Sequence, residues 1–391
     1  MKLGIDRLNG YTSSYFLDTK TLAAQRKVDK DKYYVGLGQR AMAVAAPGED
    51  VVTLGANAAL PLCKEASTLA DVEWLLFATE SGVDASKAAG LYVHRLLGLP
   101  SGCRVVELKQ ACYSSNAALQ MALGFVSRFP EKKALVIAAD IARYELNTPA
   151  EVTQGCAATA FIVSADPSLL VIDKESGVYT EEVMDFWRPL HRREALVDGK
   201  LSTRQYLTAL LKSWKAYERL SGRKFTEFAR YCFHLPFPKI AEKAYQHLAH
   251  ANGAPLDPEA LNVAVDEGLH YGRLIGNSYT ASLFISLASL LDHAQQDLSG
   301  QRIGMFSYGS GSVGEFFSGV VAKGYRDCLA AKLCLTLPEQ RSELSYAQYE
   351  DFYRFTLPKD GGSHRFPDTY ETGAFRLAGL EGYKPIYESV Q

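Results

Sequence analysis

Seven cysteines are scattered along the 391-residue chain, and one of them, Cys112, stands at a seam. Before it runs the short apolar stretch "CRVVEL" (103–108), which reads as a strand. After it comes the helical pattern "SSNAALQMALGFVSRF" (114–129). A thiol there lies at the positive end of a helix, where the dipole and the unpaired amides favour the thiolate, the nucleophilic form. The same amides can bind an oxyanion on an acylated sulfur. The competing reading is a small buried hydrophobe, the commoner fate of a free cysteine, and this segment alone leaves the two open. Cys63, Cys103, Cys156, Cys232, Cys328 and Cys334 keep the packing reading.

A nucleophile of this kind needs acid–base partners. "FATESGVDASK" (77–87) places Glu80 just past the C-terminal end of a strand, where ligands sit in open α/β sheets. Burial there would raise its pKa and suit it to general-base work; a helix cap or a solvated acid is the plainer alternative. "YCFHLPFPKIAEKAY" (231–245) sets His234 between Phe233 and Leu235. A satisfied core histidine is common in such a setting, yet His234 is the best placed of the eight histidines to partner a thiol.

Further binding groups cluster nearby. Lys239 and Lys243 stand one helical turn apart, with reach to phosphates or simply on a solvated face. His247 and His250 have no further ligand candidates beside them and read as surface residues rather than metal ligands. "IGNSYTASL" (275–283) puts Asn277 at a helix N-cap position, its amide either capping or facing a substrate oxygen. "YGSGSVGEF" (308–316) is neither a P-loop nor a dinucleotide fingerprint, since no lysine and no G-x-G-x-x-G follows. Its glycines let backbone amides approach a ligand, or form a plain hairpin turn.

The elements that must position these groups alternate along the chain. "VEWLLFAT" (72–79) predicts a buried strand, "DASKAAGLYVHRLLGL" (84–99) a helix, "KALVIAADIA" (133–142) and "CAATAFIVSAD" (156–166) strands. That alternation implies mainly parallel sheets covered by helices. In the second half come a charged helical insertion at about 201–220, the strand "YCFHLPF", the helix "PKIAEKAYQHLAHA", and a strand–glycine turn–strand unit over 301–322. The tail, 323–391, is more charged and carries helix and turn signals. With no low-complexity segment and no Pro/Ser linker, two packed halves forming one catalytic unit are expected: 1–167 with Glu80 and Cys112, and 168–391 with His234, Asn277 and the glycine turn.

Composition narrows the classes. The chain is 47% hydrophobic and 22% charged, ordinary for a globular protein, and its net charge of -2 gives no support for nucleic acid or an anionic membrane as partner. Scattered cysteines in odd number without a C-x-x-C pair argue against a disulfide framework or thiolate zinc site and fit a reducing cytoplasm. The start lacks the order of a signal peptide, and no uninterrupted apolar run could span a bilayer.

Taken together, "ATESGVDASKA", "ELKQACYSSNAALQMA", "VIAADIARY", "EEVMDFWRP", "CFHLPF", "GNSYTASLFISLASLL" and "FSYGSGSVGEFFSG" appear in an order that resembles the 3-hydroxy-3-methylglutaryl-CoA (HMG-CoA) synthase family of the thiolase superfamily. The likeness covers roughly residues 1 to 322. It implies a thiolase-like five-layer αβαβα sandwich of two similar halves and a homodimer. It also implies Cys112 as acylated nucleophile, Glu80 as general base and acid, and His234 near the second substrate. Tyr144, Thr153, Ser202, Lys239, Lys243, Asn277 and Ser310 match substrate-contacting positions. Asp140, Asp185 and Tyr308 match supporting ones, and the backbone amides of Cys112 and Ser310 an oxyanion site.

The implied activity condenses acetyl-CoA with acetoacetyl-CoA and water into HMG-CoA and CoA, with no metal or redox cofactor, in a mevalonate pathway. "GLGQRAMAV" looks like the mevalonate-type members. An alternative keeps the chemistry but takes acceptors from an acyl carrier protein, as in polyketide β-branching. Ketosynthases and thiolases use a second histidine, asparagine or cysteine where this chain offers Glu80, and a non-catalytic scaffold would not keep all three groups. One departure is "TQGCAATA" (153–160), where family members commonly read like "TQGAGAVA"; Cys156 and Ala157 are expected near the pocket wall.

Overall fold

The computed structural model describes residues 1–63, 70–329 and 340–390; Cys334 lies outside them. Ten strands form one sheet, nine of them along a continuous path. They are β1 (Leu3–Thr12), β2 (Val72–Ala78), β3 (Arg104–Leu108), β4 (Lys133–Ile141), β5 (Cys156–Ala165), β6 (Leu170–Ile172), β7 (Gly177–Thr180), β8 (Arg230–Phe233), β9 (Arg302–Gly309) and β10 (Val313–Val321). The order is β8-β9-β10-β6-β1-β5-β4-β2-β3, with β7 beside β10. The short β6 joins two larger halves by pairing with both β1 and β10.

The expectation of mainly parallel sheets is corrected. Only β2–β3, β2–β4 and β8–β9 run parallel; β4–β5, β5–β1 and β9–β10 are antiparallel. β9 and β10 turn back through a short loop, and β5 follows β4 without a regular helix between them, so neither pair has the crossover that a parallel pair requires.

Register and alternation then set the layers. Leu76, Val136, Phe161 and Leu8 share one cross-strand row; Phe77, Ile137, Ala160 and Asn9 form the next row, on the opposite face. The Phe77 face is covered by helices α1 (Val51–Ala59) and α2 (Ala89–Leu97). The Asn9 amide donates to the Ala58 carbonyl at 2.8 Å. Helix α2 comes so close that a Cβ at Gly90 would lie 2.6 Å from Leu75.

The Leu76 face meets helix α3 (Ser114–Arg128) and, from the far end of the chain, helix α6 (Ser282–His293). Trp74 packs edge-on to Phe125 of α3, and Phe161 lies 4.5 Å from Phe284 of α6. In the second half, Cys232, Met305 and Phe317 make one row and Phe233, Phe306 and Phe316 the next. The latter face holds α4 (Gly199–Ser221), through Tyr206 on Phe306 and Trp214 on Phe316, and α5 (Lys239–Ala251). The former face joins the core that contains Phe284 and Leu287 of α6. Five layers result, with α3 and α6 in the middle.

Local sequence explains the helix bounds. Asp198 caps α4 by accepting from the Lys200 and Leu201 amides, and Gly222 ends it in the left-handed conformation. Helix α2 begins only at Ala89, because residues 84–88 turn around the Asp84 side chain, which accepts from the Ser86 and Lys87 amides. The described tail holds a helix, Tyr346–Arg354, and also four strands, Ser342–Glu343, Ser363–Arg365, Phe375–Glu381 and Lys384–Ser389, beyond its helix and turn signals. Among the described residues no helix is long and apolar enough to cross a membrane.

Candidate active site

Residues 32 apart in sequence meet at the ends of parallel strands. Glu80 follows β2, Cys112 follows β3, and the Cys112 thiol donates to Glu80 Oε1 at 3.2 Å. The loop before α3 is a tight elbow: Ser114 Oγ accepts from the Gln110 amide and donates to the Ala111 carbonyl. Ala111 sits at φ 44°, a left-handed conformation that costs a non-glycine residue roughly 1–3 kcal/mol and concentrates at functional sites.

Asp140, at the end of β4, fixes the carboxylate's loop. It accepts from Thr79 Oγ1 at 2.8 Å and from the Glu80 and Ser81 amides at 3.0 and 2.9 Å. Its other oxygen takes the Thr280 amide and hydroxyl at 3.1 and 2.5 Å, tying the loop to the segment before α6.

The electrostatics of the pair differ from the sequence expectation. Burial first, then the Asp140 charge, pushes the Glu80 carboxyl up to about 8. Burial and the adjacent Glu80 hold the Cys112 thiol well above its ordinary value. The expected resting thiolate is therefore corrected: a half-charge at a helix terminus is outweighed by full desolvation beside a carboxylate. Burial drives His234 down to about 3, so its imidazole is neutral. Its Nδ1 is buried with no partner among the described residues.

Cys112 and His234 line one cavity of about 520 Å³. Tyr144, Thr153, Ser202, Asn277, Tyr308 and Ser310 line it as well, so the structure brings these sequence-predicted residues together. The N-cap reading of Asn277 is corrected: Ala281 holds the N-cap position of α6, and Asn277 Oδ1 instead accepts from the Tyr279 amide at 2.8 Å, two residues on, bracing the short turn that enters the helix. Asp185 clamps the glycine turn, accepting from Tyr308 Oη and the Gly311 amide, both at 3.0 Å.

Lys239 and Lys243 are not in the cavity wall. Lys239 pairs with Glu242 at 2.6 Å, and the Lys243 ammonium lies 5.6 Å from the ring of Phe237, which does line the cavity. Lys243 therefore stands at its rim. Cys156 and Ala157 are corrected: both are fully buried on β5, and neither lines the cavity.

Sequence reasoning missed Tyr279. It lines the cavity, sits at φ 44°, and its buried hydroxyl interacts with that of Tyr144. A single tyrosine inside an apolar helix entry carries no spacing signal that could have marked it.

Asp140→Asn tests the carboxylate's supports. An amide can still accept on one side but turns an N–H toward the other donors, so stability should fall by about 1–3 kcal/mol. Loss of the charge beside Glu80 should lower the Glu80 pKa. A melting curve and a pH titration of activity check both; an unchanged acidic limb would rule out the charge coupling.

The family model described as hydroxymethylglutaryl-coenzyme A synthase N terminal matches residues 1–168, and its C-terminal counterpart matches 170–270 and 255–350. Hydroxymethylglutaryl-CoA synthase of Enterococcus faecalis is 38% identical over 360 residues, 92% of this chain and 94% of that protein. The polyketide biosynthesis 3-hydroxy-3-methylglutaryl-ACP synthase of Bacillus subtilis is 34% identical over 90% of this chain and 88% of its own length. A crystal structure of an HMG-CoA synthase complexed with CoA superposes with a TM-score of 0.94 at 37% identity, covering both chains completely. The curacin-pathway HMG synthase in complex with holo donor-ACP does so with a TM-score of 0.90 at 32% identity over the full length of both chains. Cys112, Glu80 and their strand ends thus sit in a five-layer frame of known type, and the chain belongs to the hydroxymethylglutaryl-CoA synthase family.

Proposed function

We propose that this enzyme condenses acetyl-CoA with acetoacetyl-CoA and water to give HMG-CoA and CoA, the carbon–carbon step of a mevalonate pathway. The observation that carries the reading is the 3.2 Å contact between the Cys112 thiol and the Glu80 carboxylate at the cavity that His234 also lines. Cys112 gives its proton to Glu80, and its sulfur attacks the acetyl-CoA carbonyl. The carbonyl oxygen lies on the amides of Cys112 and Ser310 while the carbon–sulfur bond to CoA breaks; CoA leaves with the proton. Glu80, ionised again, takes a proton from the acetyl methyl. The enolate carbon attacks the C3 ketone of acetoacetyl-CoA, and the new alkoxide takes a proton back from Glu80. Neutral His234 donates a hydrogen bond to that oxygen rather than acting as an imidazolium. Water then cleaves the thioester to Cys112.

In the same reading Tyr144, Thr153, Ser202 and Asn277 hold the acyl and pantetheine portions, Lys239 and Lys243 the phosphates, and Asp140, Asp185 and Tyr308 support the reacting groups. The halves divide at about 167/168. The enzyme is a homodimer; β3 ends the sheet with one edge unpaired among the described residues, a feature that a second copy can cover.

Purified protein with both CoA thioesters should consume the acetoacetyl-CoA enolate absorbance and yield the product mass; no HMG-CoA over the background rate would end the reading. The pH dependence follows from Glu80. Its carboxyl ionises near 8 rather than in the usual carboxylate range, so condensation should rise with pH through about 8 and fall about tenfold per unit below it. An acidic limb near 4–5 in kcat/KM would contradict the buried base.

A second reading places the acceptor on an acyl carrier protein. A groove beside the cavity, with Lys200, Arg204 and His247 above Leu207 and Leu211, shares Gly199 and Thr203 with the cavity wall and suits an acidic partner. A carrier-borne acceptor turned over with a higher kcat/KM than acetoacetyl-CoA would favour it.

A further inference from the structure

The two amides assigned to the thioester oxygen belong to different halves. Cys112 lies in the elbow before α3, Ser310 in the turn between β9 and β10, and only side-chain and packing contacts set their separation. The turn is pressed against the elbow: a Cβ at Gly309 would lie 2.5 Å from the Gln110 carbonyl oxygen and 2.7 Å from the Tyr113 nitrogen. Gln110 Nε2 donates to the Ser310 carbonyl at 3.2 Å. Behind this contact stands Glu315, on β10 and 2% exposed. Its Oε2 accepts from Tyr113 Oη at 2.6 Å and from Asn116 Nδ2 at 2.8 Å. Tyr113 is the residue after the nucleophile, and Asn116 is in the first turn of α3.

A carboxylate in such a place is costly. Among the described residues Glu315 has no ion-pair partner, and it is held by neutral donors alone. An apolar side chain would fill the space more cheaply, but it could not fix the direction of both donors. We propose that Glu315 is a positioning residue for acyl transfer: by gripping Tyr113 and Asn116 it sets the spacing between the Cys112 and Ser310 amides that receive the thioester oxygen. The inference rests on the oxyanion assignment above. Because misplacement of such groups by about 1 Å costs on the order of 100-fold in rate, a small shift of the elbow suffices.

The test compares Glu315→Gln with wild type in two reactions of Cys112. One is single-turnover acetylation by labelled acetyl-CoA; the other is alkylation by iodoacetamide, which forms no tetrahedral oxyanion. Acetylation should slow about 10- to 100-fold, with acetyl-CoA affinity and alkylation rate each within about twofold. An unchanged acetylation rate overturns the proposal, and so does a parallel fall in both reactions, which would mean general distortion. If Glu315→Gln loses its circular dichroism signature, Tyr113→Phe is judged by the same criteria, with a smaller loss of about 3- to 10-fold expected for one lost bond. Wild-type protein that takes no acetyl group overturns the acyl-enzyme reading itself, a different outcome from a wild type that works and a variant that works equally well.

Discussion

Cys112→Ser should take no acetyl group from acetyl-CoA, with a loss in turnover on the order of 10⁴-fold or more, as when a nucleophile acting in a unit is removed. The substitution is nearly isosteric and keeps a donor to Glu80, so the fold and the cavity should persist. What changes is the nucleophile. A serine hydroxyl is a far weaker acid than a thiol, and a carboxylate that ionises near 8 is a poor base for it. Among the described cysteines only Cys112 lines the cavity. Cys156 and Cys232 are fully buried, pushed up to about 12, and absent from the cavity wall. Intact-mass analysis after exposure to acetyl-CoA reads the result directly. Stoichiometric acetyl retained on the serine variant, or found on another cysteine, would remove Cys112 from the mechanism.

Glu80→Ala should separate the two half-reactions. Its removal takes away the acceptor of the thiol proton but also the second-largest cause of the raised Cys112 thiol, so the sulfur becomes easier to ionise and acetylation is slowed rather than abolished. Condensation should fall by about 10²- to 10⁴-fold, because Glu80 is the carboxylate that touches Cys112 among the described residues. Glu80 itself reaches the cavity only through its contact with Cys112; the one carboxylate among the described wall residues, Glu145, has a side chain 69% exposed and lies 3.7 Å from Arg192, at the mouth rather than at the sulfur. Acetyl-enzyme should therefore accumulate and stall on addition of acetoacetyl-CoA. Full condensation by this variant would eliminate Glu80 as the base.

The pairing of Cys112 with Glu80 was legible because both follow apolar runs that could only be buried strands, and parallel neighbours present their C-terminal ends together. Local segments marked His234 and Asn277 as candidates, but they lie more than a hundred residues away, and the family likeness rather than any local pattern tied them to the same cavity as Cys112. Strand direction was not legible. A short connection between β4 and β5 and a turn between β9 and β10 decide it, while apolar runs look alike in either orientation. The resting charge on Cys112 was misjudged because helix position is visible in the sequence, whereas complete burial beside an acid is not. For the same reason the "TQGCAATA" departure looked like a change in the pocket; alternation on β5 and burial between sheets and helices place it in the core.

The middle layer has a consequence for how the chain comes to be folded. Helix α6 arrives late from the ribosome, yet its Phe284 lies against Phe161, and the Ser115 hydroxyl at the head of α3 donates to the Thr280 carbonyl beside it. Until that late segment docks, the inner face of the first sheet is wet and greasy. A fragment ending near residue 167 would then be a sticky intermediate rather than a domain, and splitting the gene at the apparent boundary should yield aggregates unless both pieces are made together.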